Sequence, residues 1–219
     1  MARERLERVL RDARREGANG IASRAYYRAL FLLRGVDFGR ADLPTDPAGL
    51  PGLEHAYFHR ATGLHHLRRL VEAIPAPDRE PVLNGTFVDL GCGKGRALHA
   101  AHVIGFRRIV GVELVGAFAA TARRNMEALG VSGAEIIDGN AAEFSFPGDT
   151  RLVFMFNPFR DAVMRQVAAN LARVPVRPVY VGYSFAVHLP ALTAMLPDLE
   201  EVWHDPESES RVLRLPAAT

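Results

Sequence analysis

Three glycines at alternate positions, Gly91, Gly93 and Gly95, follow Asp89 in the segment FVDLGCGKGR. Glycine permits backbone angles that other residues avoid, and it lets a ligand approach the main chain without meeting a Cβ atom. A helical pattern begins at Arg96, and the exposed amides at the start of a helix favour negative charge. The spacing therefore predicts a loop that cradles a nucleoside-bearing ligand.

The positions of the glycines separate two kinds of nucleoside site. A dinucleotide-binding loop has the pattern G-x-G-x-x-G and needs a third glycine at position 96, which is Arg96 in this chain. Asp89 and the three glycines instead resemble the acidic-x-G-x-G-x-G loop of the class I S-adenosylmethionine (SAM)-dependent methyltransferases. In that family the glycines lie against the methionine part of the cofactor, and the acid helps to hold its amino group. The resemblance implies cofactor contacts at Asp89, Leu90, Gly91, Cys92, Gly93 and Gly95.

A second acid, Glu113, ends the next apolar run, residues 108–114, which has the pattern of a strand. It follows Asp89 by roughly the 20 positions at which an acid meets ribose hydroxyls in nucleoside-binding α/β folds. A carboxylate suits a vicinal diol because it accepts two hydrogen bonds at once. We therefore expect Glu113, with the adjacent Leu114, at the ribose. The alternative is that Glu113 caps the following helix, whose first turn favours negative charge.

The third strand pattern lies within residues 136–144 and runs into a polar turn. In the methyltransferase family an Asp commonly follows the glycine after this strand and accepts a hydrogen bond from the adenine amino group. The matching residue here is Asn140, whose side-chain oxygen can also accept that bond, and Ala141 lies next to it. Asp138 is a possible substitute, which we expect to point elsewhere. The alternative is that Asn140 serves only a turn that tolerates left-handed angles.

The run of residues 152–160, LVFMFNPFR, predicts a strand buried on both faces that ends in Asn157, Pro158 and Phe159. Because open α/β sheets bind ligands at the carboxyl ends of their strands, we expect these three residues to face the transferring methyl group. They resemble the Asn/Asp-Pro-Pro-Tyr/Phe loop of amino-group methyltransferases, with one proline fewer. The shorter loop supports a role facing the substrate better than it supports a nitrogen acceptor. The alternative is that Asn-Pro only starts a turn.

The remaining segments complete the fold that the resemblance implies. Helical patterns cover residues 64–74, 96–103, 115–129, 161–174 and 190–196. A further strand is predicted at 177–185 and a terminal antiparallel pair at 199–204 and 211–215. Together they predict an α/β fold, a seven-stranded and mostly parallel sheet with helices on both faces, forming a SAM-binding domain over residues 76–219.

Residues 1–75 read as a helical N-terminal extension. Arginines, acids and apolar residues at helical spacing predict an amphipathic helix with solvated ion pairs near its start, and a second helical pattern covers residues 18–34. Before the helix at residue 64, Tyr57, Phe58 and His59 lie within residues 55–63. This segment either closes the active site against water or packs the extension onto the sheet.

Composition narrows the classes of protein. The 219 residues include 27 basic and 25 acidic side chains, a compensated balance that does not indicate nucleic-acid binding, although a nucleobase stays possible as a substrate. The single cysteine, Cys92, excludes internal disulfides and a cysteine-based zinc site and suits a cytoplasmic location. No apolar run is long enough to span a bilayer. We expect no metal, and the sequence does not indicate an oligomeric state.

The sequence thus predicts a SAM-dependent methyltransferase, with S-adenosylhomocysteine (SAH) as product and an unidentified acceptor. The acceptor could be a small molecule, or a nitrogen or oxygen of a protein or nucleic acid. A general base is needed only where the acceptor loses a proton, and His59 and His188 are the candidates. Two alternatives remain, a non-catalytic protein on the same fold and, less favoured because of Arg96, a nicotinamide-dependent oxidoreductase.

Overall fold

The computed structural model of this chain describes residues 22–23, 25–39, 63–157 and 159–217. The predicted amphipathic helix near residue 1, most of the loop of residues 35–52, the aromatic segment of residues 55–62 and Pro158 lie outside the described residues. Residues 22–23 and 25–34 are helical, in agreement with the apolar spacing of that segment.

The elements follow one another as the sequence pattern predicts, with one addition. The helices are α1 (residues 25–34), α2 (Leu64–Ala73), α3 (Ala76–Asn84), α4 (Arg96–Ile104), α5 (Gly116–Ala128), α6 (Asp161–Ala172) and α7 (Leu189–Met195). The strands are β1 (Thr86–Leu90), β2 (Arg108–Glu113), β3 (Ala134–Asp138), β4 (Thr150–Phe156), β5 (Val179–Ser184), β6 (Glu200–Asp205) and β7 (Ser210–Leu215). None of these described helices combines the length and the apolar character that crossing a membrane requires.

Within the described ranges, seven strands form one sheet in the order β3-β2-β1-β4-β5-β7-β6. Neighbours among β1 to β5 pair in parallel, whereas β7 lies antiparallel between β5 and β6. The predicted seven-stranded, mostly parallel α/β fold with a terminal antiparallel pair is confirmed. The strand order reverses between β1 and β4, which is the position where open α/β sheets bind ligands.

The central strands are apolar throughout because both faces of the sheet are covered. Successive strand side chains point to opposite faces. Phe87 and Phe154 therefore belong to a core with α2 and α4, and Val88 and Val153 to a second core with α6 and α7. All four side chains are buried. Burial on both faces holds the strand ends in fixed relative positions, so the loops that leave them start from a rigid frame.

Helix α3 is the addition that the sequence pattern did not predict. It carries Pro81 inside the helix, and of its nine residues only Val82 is buried. With so little apolar surface facing the core, the segment lacks the stripe by which an amphipathic helix is recognised. Its Asp78 accepts a 2.5 Å hydrogen bond from the Tyr180 hydroxyl, which ties α3 to β5.

Candidate functional site

The residues predicted to do chemistry come together at the carboxyl edge of the sheet. The strand register places Leu90 beside Val112 and beside Met155, and it places Glu113 beside Asp138. The segments after β1, β2, β3 and β4 therefore leave the sheet side by side. The ends of these strands and the segments that follow them hold every described residue that the sequence predicts to contact the cofactor or the acceptor.

The glycine loop, residues 91–95, turns sharply between β1 and α4. Gly91, Gly93 and Gly95 have φ angles of 79°, 55° and 84°, in the region that only glycine enters freely. The N–H groups of Gly91 and Cys92 donate to the carbonyl oxygen of Val112 at 2.8 and 3.0 Å. The loop thus folds back over the end of β2. Gly91 is exposed while residues 92–95 are not, so the main chain is open to a ligand at Gly91.

Cys92 packs its sulfur inward instead of toward the loop opening. It is 4% exposed, and a Cβ built on Gly111 would lie 2.7 Å from its Sγ. Burial raises the pKa of the Cys92 thiol well above its usual value, and the charges of Asp89 and Glu113 add to the shift. Any contact of Cys92 with a cofactor therefore involves its main chain, because the thiol is held in the core.

Glu113 joins the glycine loop to the start of α5. One carboxylate oxygen, Oε2, accepts the N–H of Gly93 at 2.7 Å, and Oε1 accepts the N–H of Val115 at 2.9 Å. The residue is 8% exposed. Val115 lies immediately before α5, so its hydrogen bond to Glu113 resembles the helix cap that the sequence offered as the alternative role. A carboxylate has about four acceptor sites, so these two bonds leave capacity for ribose hydroxyls, and that contact stays a prediction.

Asp89 and Glu113 form a buried acidic pair under the loop. Burial raises the pKa of Asp89 well above its usual value, and the negative charge of Glu113 raises it further. The pKa of Glu113 is also raised by burial, although the N–H groups of Val115 and Gly93 oppose this. Within the described ranges, no cation contributes to lowering the pKa of either carboxyl group. A ligand that carries positive charge would lower both pKa values and stabilise the ionised pair.

The turn after β3 uses Asn140 as a structural residue. Its Oδ1 accepts the N–H of Ala142 at 3.0 Å, which is the local turn considered from the sequence, although φ of Asn140 is not in the left-handed region. From α6, the side-chain amide of the buried Asn170 donates to the carbonyl oxygens of Ala142 and Phe144 at 2.9 and 3.1 Å. The hydrogen bonds of Asn140 and Asn170 thus fix this turn beside Ala141. The contact of Asn140 with adenine stays a prediction.

Asn157 follows β4 in a strained conformation. Its φ is 41°, a left-handed angle that asparagine adopts more readily than most residues. Its side-chain Oδ1 is buried and has no hydrogen-bond partner among the residues that the structure describes. Buried polar atoms nearly always have a partner, and backbone strain tends to persist at functional sites. Phe159, two residues on, is partly buried against the core shared with α6.

The sequence reasoning missed a polar pair at the ends of β4 and β5. His66 of α2 lies with its Nε2 2.7 Å from the hydroxyl of Ser184 and its ring centroid 6.2 Å from that of Phe156. Phe185 has φ of 50° and packs on Phe156 at 5.3 Å. The available signal was helical spacing, since His66 lies four residues before the buried Leu70.

His188, one of the two candidate bases, lies in the loop after β5 and pairs with the first residue of α6. Its Nδ1 is 2.5 Å from Asp161 Oδ1, and its side chain is 15% exposed. A carboxylate on Nδ1 fixes the orientation of the ring. The other candidate, His59, lies outside the described residues.

Acidification is expected to destabilise the protein through its buried histidines. Burial, assisted by the charge of Arg69, lowers the pKa of His66 to about 4, and burial lowers that of His99 to about 4. The unfolded chain takes up these protons near pH 6.5, so stability present above that pH is lost as the pH falls toward 4. The expected slope is at most about 1.4 kcal/mol per pH unit and histidine.

Urea unfolding between pH 4 and pH 7 measures this slope. The His66→Gln variant should show a shallower slope than the wild type, because one of the two contributing histidines is gone. A His102→Gln control changes an exposed residue of α4 whose charge makes the smaller contribution to the lowered pKa of His99, so it should keep most of the slope. Equal slopes in wild type and His66→Gln would contradict the assignment.

Comparison with known proteins identifies a family whose model covers the candidate site. A family model described as "Methyltransferase domain" matches residues 87–177, which run from β1 to the loop before β5. No curated protein matches the chain. The matched segment contains the glycine loop, Glu113, Asn140 and Asn157.

Solved structures show the same fold at low sequence identity. The proposed methyltransferase yhhF of Escherichia coli is 17% identical with a TM-score of 0.56, over 68% of this chain and 88% of its own. A SAM-dependent methyltransferase of Aquifex aeolicus is 13% identical with a TM-score of 0.51, over 66% of this chain and 96% of its own. The ribosomal protein L11 methylase of Lactobacillus delbrueckii subsp. bulgaricus is 15% identical with a TM-score of 0.51, over 67% and 74%.

Proposed function

We propose that this chain is a class I SAM-dependent methyltransferase and that it transfers the methyl group of SAM to a nitrogen or oxygen atom of an acceptor held beside Asn157. The proposal rests on the position of three features at one edge of the sheet. All three lie together at the carboxyl edge of β1, β2 and β4: a glycine loop open at Gly91, a buried acidic pair, and the Asn157 amide oxygen, which has no partner among the described residues.

The residues at this edge fit SAM in charge and shape. The ammonium group of its methionine part suits Asp89, because a nearby positive charge would lower the raised pKa of that buried carboxyl. We expect Asp89 to hold the ammonium, the main chain of the glycine loop to lie along the methionine part, and Glu113 to hold the ribose. Asn140, with Ala141 and Leu114, would border the adenine, and Leu90 and Cys92 complete the floor.

When bound, SAM supplies a methyl group that is already activated by the sulfonium. The protein therefore has to align the acceptor, exclude water and remove a proton where one must leave. Asn157 would orient the acceptor through its Oδ1, which can accept an N–H or O–H hydrogen bond. For an acceptor that loses a proton, we propose His188 as the general base, with its ring held by Asp161.

We expect SAM and SAH to bind saturably and NAD not to bind, in parallel calorimetric titrations of the purified protein. Arg96 occupies the place of the third dinucleotide glycine, and its guanidinium lies over the ring of Tyr27, 4.0 Å from the centroid. Binding of NAD alone would support an oxidoreductase. Absence of all binding would favour a non-catalytic protein on this fold.

The acceptor is to be sought with methyl-labelled SAM. Small molecules, proteins and nucleic acids are offered as separate pools, and label is followed into each. Transfer into one pool identifies the class of acceptor. Binding of SAM without transfer into any pool would leave the cofactor assignment intact and argue against catalysis.

A further inference from the structure

A short segment ahead of the sheet, residues 36–39, lies against the outside of the glycine loop. Asp37 in this segment accepts a hydrogen bond from Lys94 Nζ to its Oδ2 at 2.6 Å. Asn125 of α5 bridges the two: its Nδ2 donates to the carbonyl oxygens of Asp37 and Lys94 at 2.8 and 2.9 Å. Its Oδ1 accepts the N–H of Asp37 at 2.8 Å. The brace, as we call Asp37, Asn125 and Lys94, thus joins three separate parts of the chain.

The brace lies mostly away from water. Asn125 is 3% exposed, and the Lys94 side chain is 10% exposed, whereas that of Asp37 is half exposed. Burial alone would raise the pKa of Asp37, but hydrogen bonds from Lys94 and from the N–H of Gly39 outweigh it and hold that pKa below its usual value. A cation with this little solvent depends on its carboxylate partner.

Aromatic packing fixes the segment to α4. Phe38 stacks on His99 at 6.1 Å between ring centroids and meets Tyr27 edge to face at 5.4 Å. Tyr27, Val36 and Phe38 are buried, and His99 is 4% exposed. The segment that presents Asp37 is therefore anchored on the helix that begins at the end of the glycine loop.

The glycine loop is held from both sides by these contacts. Inside, Glu113 accepts the N–H of Gly93; outside, the brace holds the carbonyl and the ammonium of Lys94, which lies between Gly93 and Gly95. Glycine has little conformational preference of its own and loses much entropy when it is ordered. A loop ordered before the ligand arrives binds it more tightly.

We propose that Asp37 is a positioning residue of the cofactor site, which acts through Lys94 to hold the glycine loop in its binding conformation. The inference rests on the proposed function, because it takes an adenosyl ligand as the occupant of the loop. It makes residues 36–39 part of the binding site without direct contact to the cofactor. Asp37 acts through the loop, so its loss changes affinity and not the chemistry of transfer.

The test measures the dissociation constant of SAH by calorimetry in Asp37→Asn, with thermal unfolding recorded on the same samples. SAH is chosen because, unlike SAM, it carries no sulfonium charge. We expect SAH affinity to fall roughly tenfold, the lower end of the range for a hydrogen bond to a charged group. Asp37→Glu, which keeps the carboxylate, should restore most of the affinity.

The matched control is Asp149→Asn. Asp149 pairs with Arg108 at 2.5 Å with partly exposed side chains, and it lies before β4 at the amino edge of the sheet. Its replacement removes the same charge far from the loop and should leave the SAH dissociation constant unchanged. If Asp37→Asn does not fold, Asp37→Ser serves instead, because serine can still accept the N–H of Gly39 while losing Lys94.

The outcomes separate this inference from the proposed function. If the wild type binds neither SAM nor SAH, the proposed function fails. If the wild type binds SAH and a folded Asp37 variant binds it equally well, the inference is overturned. A lower unfolding temperature without a change in SAH affinity would also overturn it, since the brace would then be structural only. A loss of affinity that appears equally in Asp149→Asn would trace to net charge and would overturn it as well.

Discussion

Replacement of Asn157 by alanine is expected to lower methyl transfer by about 100-fold or more, while the dissociation constant for SAM stays within about twofold of the wild type. The reason is the Oδ1 atom of Asn157, which is buried at the carboxyl edge and has no hydrogen-bond partner in the described part of the chain. A group that orients the acceptor is used in transfer and contributes little to cofactor binding. Single-turnover transfer of labelled methyl to the identified acceptor, with calorimetry of SAM, measures both quantities.

A second substitution separates the side chain of Asn157 from its backbone. Alanine at φ of 41° adds strain of roughly 1 to 2 kcal/mol, whereas Asn157→Gly removes the amide without that strain. Both variants should lose transfer if the amide oxygen positions the acceptor. Recovery of transfer in Asn157→Gly alone would mean that only the bend of the chain matters, and the orienting role would be wrong.

Glu113→Ala is expected to weaken SAM binding by about 1.5 to 3 kcal/mol, equivalent to roughly 10- to 150-fold. The structure adds a second effect. The N–H groups of Gly93 and Val115 lose their shared acceptor, so the free energy of unfolding should fall by about 1 to 3 kcal/mol for each group left unsatisfied. Calorimetry with SAM and urea unfolding of the same variant report the two effects separately.

Asp138→Asn is the matched control for Glu113. Asp138 pairs in register with Glu113 at the end of the neighbouring strand, is exposed, and influences the pKa of Glu113 only through its charge. Its substitution should leave SAM affinity nearly unchanged. A folded Glu113→Ala variant with wild-type affinity for SAM would remove the ribose role and leave Glu113 as a structural link between the loop and α5.

The features that could be predicted from the sequence are those determined by residues close together in the chain. The glycine loop could be recognised because its three glycines and Asp89 lie within seven consecutive residues. The parallel strands could be recognised because burial on both faces leaves continuous apolar runs. Strand ends in such a sheet meet at one edge, so placing Glu113 and Asn157 near each other required no knowledge of distances.

The contacts that escaped prediction join distant parts of the chain. His66 meets Ser184 across the end of the sheet, and Asp37 meets Lys94 and Asn125. No local pattern encodes such pairs, since each depends on how distant segments of the chain pack against one another. Glu113 shows a different limit. The sequence suggested either ribose binding or capping of α5 for this residue, but a carboxylate with several acceptor sites can do both.

Lys94 is the only lysine in the sequence, which makes the glycine loop accessible to a specific cleavage experiment. A lysine-specific endoprotease therefore has a single peptide bond to cut, between Lys94 and Gly95, and yields residues 1–94 and 95–219. That bond lies in the glycine loop, and Lys94 is 8% exposed. Cleavage of the native protein has to wait until the loop opens or the domain unfolds. The rate at which two fragments form on a gel thus reports opening of the loop together with unfolding of the domain, and a bound ligand is expected to slow the cleavage.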